Sequence, residues 1–542
     1  MLLARRSRTT AATLPQTRGT RWEEAGMVEG TRGDGGRELR GGGAQREGGA
    51  VSAGVILSEI FPAARFVACD DIVARGCHDT PEACRPGDVF VARLEEGGDG
   101  HELAARAIAR GVSGIIAERI IPTFGTPLCI VPDSAWAQAR LSHALAGDPA
   151  RRMSVIAITG TSGKTTTAWL TASVLAEGGM SVGVLSDLGC LDGDSTAPVP
   201  AAFEHPVELA SWLGRLADSG CTHAVVEVSS TMLARHCLAG VSCDAVVVTN
   251  LGSAHLDRHG TVAAYHEIKA RILDSLGDDG CLIANLDDAK VRRLVDRHRR
   301  IGRTDSADAP PRSVGVALRR PADLTATAVE RDLGGQTFLL RHGGDAAAVG
   351  VSVPVASFVR DGLLAAAVGI GQGVPLELVA RGLESTGGVP GRLDRIRRGQ
   401  DVHVFVDQPT SGHALASTLA SLRRLTPGRL VVLAEEKALG GLGGGRRFAA
   451  RVSRWCNDCL VAPEGVLDAA AGSRQLAAYA RIDRLLSGLG SRDCVLLVGA
   501  DLASRPDPGD PGEPQIPLAM LVDAWLELAH PADFSGRKNR AA

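Results

Sequence analysis

The sequence predicts an α/β protein of three domains, with a central domain built on a parallel sheet that carries a phosphate-binding loop and a Rossmann-like unit at the C-terminal end. Three observations lead there. The chain has 542 residues, enough for roughly three to four domains at about 150 residues each. Between residues 153 and 300, apolar strands alternate with helical stretches. A Gly-rich turn, Gly160-Thr161-Ser162-Gly163-Lys164-Thr165, lies where one of those strands meets one of those helices.

Composition narrows the function. Lys and Arg number 59 and Asp and Glu 62, a formal net charge of −3, with 44% hydrophobic and 22% charged residues. That balance excludes a general binder of nucleic acid or membrane surface, so any charge-driven function is local. No apolar run nears the ~18 residues of a membrane span. The first segment, MLLARRSRTTAATLPQTRG, places Arg and Thr where a signal peptide has an unbroken apolar core. A cytoplasmic monomer is expected, with no nucleic-acid partner and no membrane insertion. The 12 Cys are scattered, and Cys129, Cys243 and Cys281 sit inside apolar runs as buried reduced thiols would. The close pair Cys456-x-x-Cys459 has no second pair and no nearby His. It therefore reads as two small core residues flanking a strand start, with zinc or redox chemistry as the weaker reading.

Taken in order, residues 1–51 are rich in Gly and Arg and contain GTRGDGGRELRGGGAQREGG. Such a segment buries too little to offset its ordering entropy. It is either a disordered extension or the product of a start codon placed too far upstream, with Met27 a later candidate. Residues 52–150 form a small α/β unit with strands VFVA (89–92), GIIAE (114–118) and LCIV (128–131) and a helix HELAARAIARG between the first two. Residues 151–388 read as SVIAIT, a helix from Lys164, SVGVL, a helix around 209–216, HAVVEV, DAVVVTN, a helix over 261–276 and CLIAN. A β-rich stretch over 313–356 and a helix over 362–383 complete this unit. Residues 389–505 give a further α/β unit, with HVFVD, a helix from His413, RLVVLAE, a Gly-rich loop, DCLVA, a helix near 476–486 and DCVLLVG. In 506–542 a linker, PDPGDPGEP, precedes an amphipathic helix, LAMLVDAWLELA.

Strands that are continuous Val/Ile/Ala runs imply a parallel sheet covered on both faces. Ligands then sit beyond the carboxyl ends of its strands. The strongest motif lies at such an end, Ile158-Thr159-Gly160-Thr161-Ser162-Gly163-Lys164-Thr165-Thr166-Thr167, after SVIAIT and opening a helix. There, backbone N–H groups and a helix N-terminus cradle phosphate, Lys reaches the β- and γ-phosphates and a Thr hydroxyl ligates Mg²⁺. Ile158 stands where the strict pattern has Gly, which leaves a fortuitous turn as the competing reading. Glu227 ends HAVVEV, and Asn250 to His259 follow the next strand, so both fall at the same sheet edge. A carboxylate and an imidazole there can bind Mg²⁺. Taken singly, Glu227 reads as a helix cap and His255 as a structural His.

Together these residues resemble the Mur ligases. The resemblance is carried by G-T-S-G-K-T-T-T, by Glu227-Val228-Ser229-Ser230, and by T-N-L-x-x-x-H-L-D-x-H-G with Tyr265 and Lys269 following. It extends through Asn285-Leu286-Asp287-Asp288 and Val389-Pro390-Gly391-Arg392-Leu393-Asp394. Within the family it most resembles the UDP-N-acetylmuramoyl-tripeptide synthetases. It implies a first domain for a UDP-sugar peptide, a central ATP-binding domain and a closing C-terminal ligase domain. The implied reaction uses ATP and Mg²⁺ to make an acyl phosphate on a UDP-MurNAc-peptide carboxylate, which an amino-acid amine attacks. Gly160, Thr161, Ser162, Gly163, Lys164, Thr165 and Thr166 would cradle ATP, and Lys164, Glu227, His255 and Lys269 would form the catalytic set. Thr165 and Glu227 would ligate one Mg²⁺, and His255 a second. Lys269 matches a lysine that becomes a metal-binding carbamate, while its competing reading is a solvated helix Lys. Asn285 would meet adenine, Arg392 the phosphates and Asp407 the ribose or the closure contact. Ser229 and Ser230 would face substrate.

The acceptor side departs from that pattern. D-S-R is replaced by Thr80-Pro81-Glu82, T-T-P is absent around Glu204-His205-Pro206, and D-H-L-D reads Ala254-His255-Leu256-Asp257. In the last domain, Y-A-H-T-P reads Gln408-Pro409-Thr410-Ser411-Gly412, and the D-N-P-R that grips diaminopimelate has no counterpart after Leu460-Val461-Ala462. Two readings follow, an active amide ligase with altered acceptor and amine specificity, or a catalytically impaired ATP-binding scaffold or regulator. A folylpolyglutamate- or cyanophycin-type ligase is a third, which E-V-S-S and T-N-L-x-x-x-H-L-D-x-H-G match less well.

Overall fold

A computed structural model of the chain describes residues 54–499, apart from 96–97, 193–194, 201, 254–258, 302–311, 398, 410, 436–438, 440–444 and 463–472, together with residue 522. The extension over 1–51, the 506–514 linker and the helix LAMLVDAWLELA lie outside the described residues, save for Val522, which is buried against the core of the last sheet. No described helix is long and apolar enough to cross a membrane.

Among the described residues the molecule has three large sheets, of five, eleven and five strands. The middle one contains β1 (Ser154–Thr159), β2 (Val182–Ser186), β3 (His223–Glu227), β4 (Cys243–Val248), β5 (Leu276–Asn285) and β6 (Ser313–Ala317). These pair in the order β2-β3-β1-β4-β5-β6, all parallel. The chain therefore leaves β1 in one direction for β2 and β3 and returns on its other side for β4 and β5. The crevice at the carboxyl end of β1 is a topological switch point, where ligands of such sheets collect.

The expected β-rich stretch does not stand apart from this sheet. Leu324–Asp332, Gly335–His342 and Asp345–Val351 extend it beyond β6, and Gly189–Asp192 with Ser195–Ala197 extend it beyond β2. The purely parallel sheet is thus a mixed one, because two-residue connections such as Leu333-Gly334 can join only antiparallel neighbours.

Helices cover both faces. On one, Leu209, Trp212, Leu213 and Leu216 of the helix Pro206–Asp218 pack over Val155, Ala157, Val226 and Val246. Pro206 at its first position and His205 at its N-cap set where it starts. On the other face lies α1 (Lys164–Glu177), crossed by α2 (Ala356–Gly371) and the helix Leu376–Ser385. Their backbones come so close that a Cβ at Gly382 would stand 2.6 Å from Val174 Cα.

Three expectations are corrected here, and one unexpected element is added. The single helix over 362–383 is two helices, broken at Gly373, whose φ of +84° suits glycine, and at Pro375. The helix over 261–276 is Val262–Ala270 followed by a 3₁₀ turn, and β5 already begins at Leu276. Helix Ala289–Ile301 was not expected, although Val291, Leu294 and Val295 bury one face of it. All 12 thiols are free, but Cys281 is only half-buried, and so are Cys69 and the pair Cys456 and Cys459 expected in the core.

The first sheet runs Arg65–Val67, Leu128–Ile130, Gly114–Ala117, Val89–Val91, Cys77–His78, parallel except for its first strand. In the third, β7 (Arg392–Ile396) lies antiparallel to β8 (His403–Asp407), which heads a parallel run through Cys494–Val498, Leu430–Glu435 and Asp458–Ala462.

Candidate active site

β1 ends in a loop that no side chain could occupy at two of its positions. A Cβ at Gly160 would lie 1.9 Å from Thr249 Oγ1, and one at Gly163, where φ is +81°, would lie 2.6 Å from Asp361 Oδ1. Gly163 is the N-cap of α1, so the unpaired N–H groups of the first turn point into the crevice and favour an anion there. The segment after β4 pins the loop. Thr161 N donates to Asn250 O at 3.0 Å and Ser162 N to Asn250 Oδ1 at 3.1 Å, while Asn250 Nδ2 returns a bond to Ser162 O at 2.8 Å. Thr249 Oγ1 adds a bond to the same carbonyl at 2.6 Å. The donors are held in place before any ligand arrives.

Charge gathers at the mouth of this loop. Lys164 Nζ stands 3.3 Å from Glu227 Oε1, and the Asp187 backbone N–H donates to Glu227 Oε2 at 3.1 Å. Burial alone would raise the Glu227 carboxyl, but Lys164, the Asp187 N–H and Arg392 together hold it below its ordinary value. Arg392, at the start of β7, donates from Nη2 to Thr165 Oγ1 at 3.2 Å and from Nη1 to Gln408 O. One guanidinium thus ties the third sheet to the phosphate loop.

Lys269 is buried, and its Nζ donates to Thr159 Oγ1 at 2.9 Å and lies 5.7 Å from the Tyr265 ring centre. Burial, with Lys164 close by, drives its pKa well below that of an ordinary amine. The solvated-Lys reading is thereby excluded. Thr159 Oγ1 in turn donates to Val228 O at 2.8 Å.

A cavity of about 280 Å³ opens between the loop and the third sheet, lined among others by Lys164, Thr166, Asn285, Asp361, Arg392 and Asp407. Asn285 spends both ends of its amide internally, Nδ2 on Thr249 O at 2.8 Å and Oδ1 on Asp287 N at 3.0 Å. Asp407 accepts from Leu393 N and from Thr418 Oγ1, each at 3.2 Å, and burial lifts its carboxyl to about 6. Ser229 caps the helix Ser230–Ala234 by accepting from Met232 N, and Ser230 Oγ lies 3.0 Å from His259 Nε2. His255, the expected second metal ligand, lies outside the described residues. Lys164, Thr165, Glu227 and Arg392 are brought together, Lys269 joins them through Thr159, and Ser229 and Ser230 follow Glu227 directly. On the acceptor side, His205 Nε2 and Arg93 Nη1 both meet Asp79 Oδ2, at 3.0 and 3.1 Å, so the residue just before the altered Thr80-Pro81-Glu82 contacts the altered segment around His205.

Two carboxylates here escaped the sequence reading. Asp187 follows β2 at the carboxyl edge of the sheet, a position that could have flagged it. Asp361 lies inside the apolar run of α2, where burial pushes its carboxyl up to about 8. In the unfolded chain it ionises near about 3.9. Between those values the folded protein holds a proton that the unfolded chain has released, so stability falls as pH rises across that window. Asp361→Asn is therefore expected to raise the Tm of the ligand-free protein by several degrees at about pH 8 and to leave it nearly unchanged at about pH 4.5. Melts of equal difference at both pH values would contradict this origin.

Residues 158–368 match the family model described as the Mur ligase middle domain. A UDP-N-acetylmuramyl-tripeptide synthetase of Roseiflexus sp. (strain RS-1) is 31% identical over 429 residues, covering 76% of this chain and 82% of that protein. The chain belongs to the Mur ligase family. It is accordingly an ATP-dependent carbon–nitrogen ligase. A UDP-N-acetylmuramoyl-L-alanyl-D-glutamate–2,6-diaminopimelate ligase of Chlorobaculum tepidum is 32% identical over 67% of this Mur ligase and 71% of its own length. Among solved structures, one of a UDP-N-acetylmuramoyl-L-alanyl-D-glutamate–2,6-diaminopimelate ligase superposes with a TM-score of 0.64 at 22% identity, over 82% of this chain and 93% of the other. MurF ligase from Thermotoga maritima in complex with ADP gives 0.51 at 20% identity, over 78% and 94%. These likenesses establish the α/β Mur ligase fold.

The donors present suit Mg²⁺, a hard cation that takes one or two carboxylates and leaves its other positions to water and phosphate. Glu227 Oε1 is buried with Lys164 Nζ as its ion-pair partner at 3.3 Å and no hydrogen bond, and the Thr165 hydroxyl is close by. Among the described residues no three His, Cys, Asp or Glu side chains cluster to form a complete cage.

Proposed function

We propose that this Mur ligase joins an amino-acid amine to a carboxylate of a UDP-N-acetylmuramoyl-peptide during peptidoglycan precursor synthesis, with cleavage of ATP. The observation that carries the reading is the rigid phosphate loop facing two cations, Lys164 and Arg392, that arrive from different domains. Residues 52–150 serve the UDP substrate, 151–388 bind ATP and 389–505 close over it. Within the loop from Gly160 to Thr166, whose Thr161 and Ser162 N–H groups are spent on Asn250, the N–H groups from Gly163 to Thr166 hold the phosphates, while Lys164 and Arg392 neutralise the charge that accumulates as the γ-phosphoryl group moves. Asn285 and Asp407 border the nucleotide, and Ser229 and Ser230 face the acceptor.

A carboxylate oxygen of the acceptor attacks the γ-phosphorus and ADP leaves, giving an acyl phosphate. The amine nitrogen then attacks the acyl carbon, phosphate departs with the bonding electrons, and the amine loses a proton. The protein's part is to position these groups and to neutralise charge. Thr165, Glu227, His255 and a carbamylated Lys269 would hold Mg²⁺, which when bound supplies further neutralisation of the phosphate oxygens.

The amine is proposed to differ from diaminopimelate. The chain lacks D-N-P-R after Leu460-Val461-Ala462. Each charge-assisted contact so lost is worth about 1.5 to 3 kcal/mol. The test is ADP release with Mg-ATP, UDP-N-acetylmuramoyl-dipeptide and a pool of amino acids, followed by mass analysis. Release that requires the dipeptide, with a product heavier by one amino-acid residue, supports the reading and names the amine. Tight ATP binding without turnover would replace it with the scaffold.

A further inference from the structure

We propose that Asp187 is a second carboxylate ligand of the divalent cation, so that the ion sits between Asp187 and Glu227 at the ends of two neighbouring strands. The inference rests on the nucleotide reading above and adds a residue that no motif in the sequence marks. β2 and β3 are parallel and in register from Val182 with His223 to Leu185 with Val226, which brings Asp187 beside Glu227 just past the sheet edge. The Asp187 N–H donates to Glu227 Oε2 at 3.1 Å, and its carboxyl is within hydrogen-bonding reach of Glu227. Asp187 is exposed and Glu227 buried, so the pair offers one face to solvent and one to the protein.

Two further observations point to an exchangeable cation. Glu227 Oε1, on a side chain buried beyond nine-tenths, has only the Lys164 ammonium at 3.3 Å as an ion-pair partner and no hydrogen bond, and the buried Arg392 Nε donates none. The groups at this spot are held by charge and leave bonding capacity unused. The charges also balance in a telling way. Without nucleotide, Lys164 and Arg392 face Glu227 and Asp187, two cations against two anions. A polyphosphate in the loop attracts both cations, and the carboxylates they leave need two positive charges, which one divalent ion supplies. The Thr165 hydroxyl, bonded to Arg392 in the absence of ligand, is freed by the same movement. Asp187→Asn would keep the backbone bond to Glu227 and lose only the charge.

The test uses the full chain and Mn²⁺ as the probe, with free Mn²⁺ followed by electron paramagnetic resonance during titration in saturating ADP. ADP affinity is measured separately in the presence of a chelator. Asp187→Asn is expected to weaken Mn²⁺ binding by about tenfold or more, and Glu227→Gln by at least as much. ADP affinity without metal is expected to be unchanged or tighter in both, because each loses an anion near the phosphates. Intact ADP binding with a Mn²⁺ affinity that Asp187→Asn leaves unmoved, while Glu227→Gln lowers it, overturns this proposal alone. Wild-type protein that binds no ADP overturns the nucleotide reading and this proposal with it.

Discussion

Lys164→Ala is expected to lower ATP turnover by about 10³-fold and to remove measurable ADP binding, as isothermal titration would record. The lost group is the cation of the phosphate loop, held at the first position of α1 where the helix N-terminus adds to its field. A second effect accompanies the first. Lys164 lies 3.3 Å from the buried Glu227 carboxylate, and removing one member of such a pair costs about 3 to 5 kcal/mol, because the other is left uncompensated. Arg392 remains near Glu227 and moves the loss toward the lower bound. The Tm should therefore drop with the activity. Adding Glu227→Gln should restore much of the Tm and none of the ADP binding, which separates the structural from the chemical consequence. Lys164→Ala protein that binds ADP as tightly as wild type would refute the phosphate assignment.

Lys269→Met is expected to act in the opposite pattern. Methionine fills much of the lysine volume and buries no amine, so the Tm should hold or rise. ADP affinity in the absence of metal should stay within about twofold, since Lys269 meets Thr159 and Tyr265 and not the cavity. Turnover should nonetheless fall by about 10²-fold or more if Lys269 carries the metal-binding carbamate. Carbamate formation requires a neutral amine, and burial beside Lys164 favours the neutral form here. Carbon-13-labelled bicarbonate should then give the wild-type protein a carbamate resonance that the variant lacks. Unchanged turnover in Lys269→Met would end that assignment.

What could be read from the sequence followed the distance over which its signal acts. α1 and its loop were legible because a strand, two glycines, a lysine and five threonines stand within fourteen residues, Ser154 to Thr167, and their chemistry is local. The short strands Gly189–Asp192 and Ser195–Ala197 were not, since they exist only by pairing onto β2. Helix Ala289–Ile301 carries a clear apolar stripe at Val291, Leu294 and Val295, but its seven charged residues mask it in any average. In the site, Lys164, Glu227 and Arg392 belonged to motifs, whereas Asp187 and Asp361 are single carboxylates in unremarkable strings. Only the crossing of β2 beside β3, and of α2 over Gly163, gives them neighbours.

The Thr159 hydroxyl has a single proton, and that proton is committed to Val228 O. It can therefore offer Lys269 only a lone pair, and the lysine must be the donor in the bond between them. A neutral amine that donates in this way keeps its own electron pair unengaged by that partner. The hydroxyl thus orients the nitrogen without engaging the electron pair that carbamate formation would use.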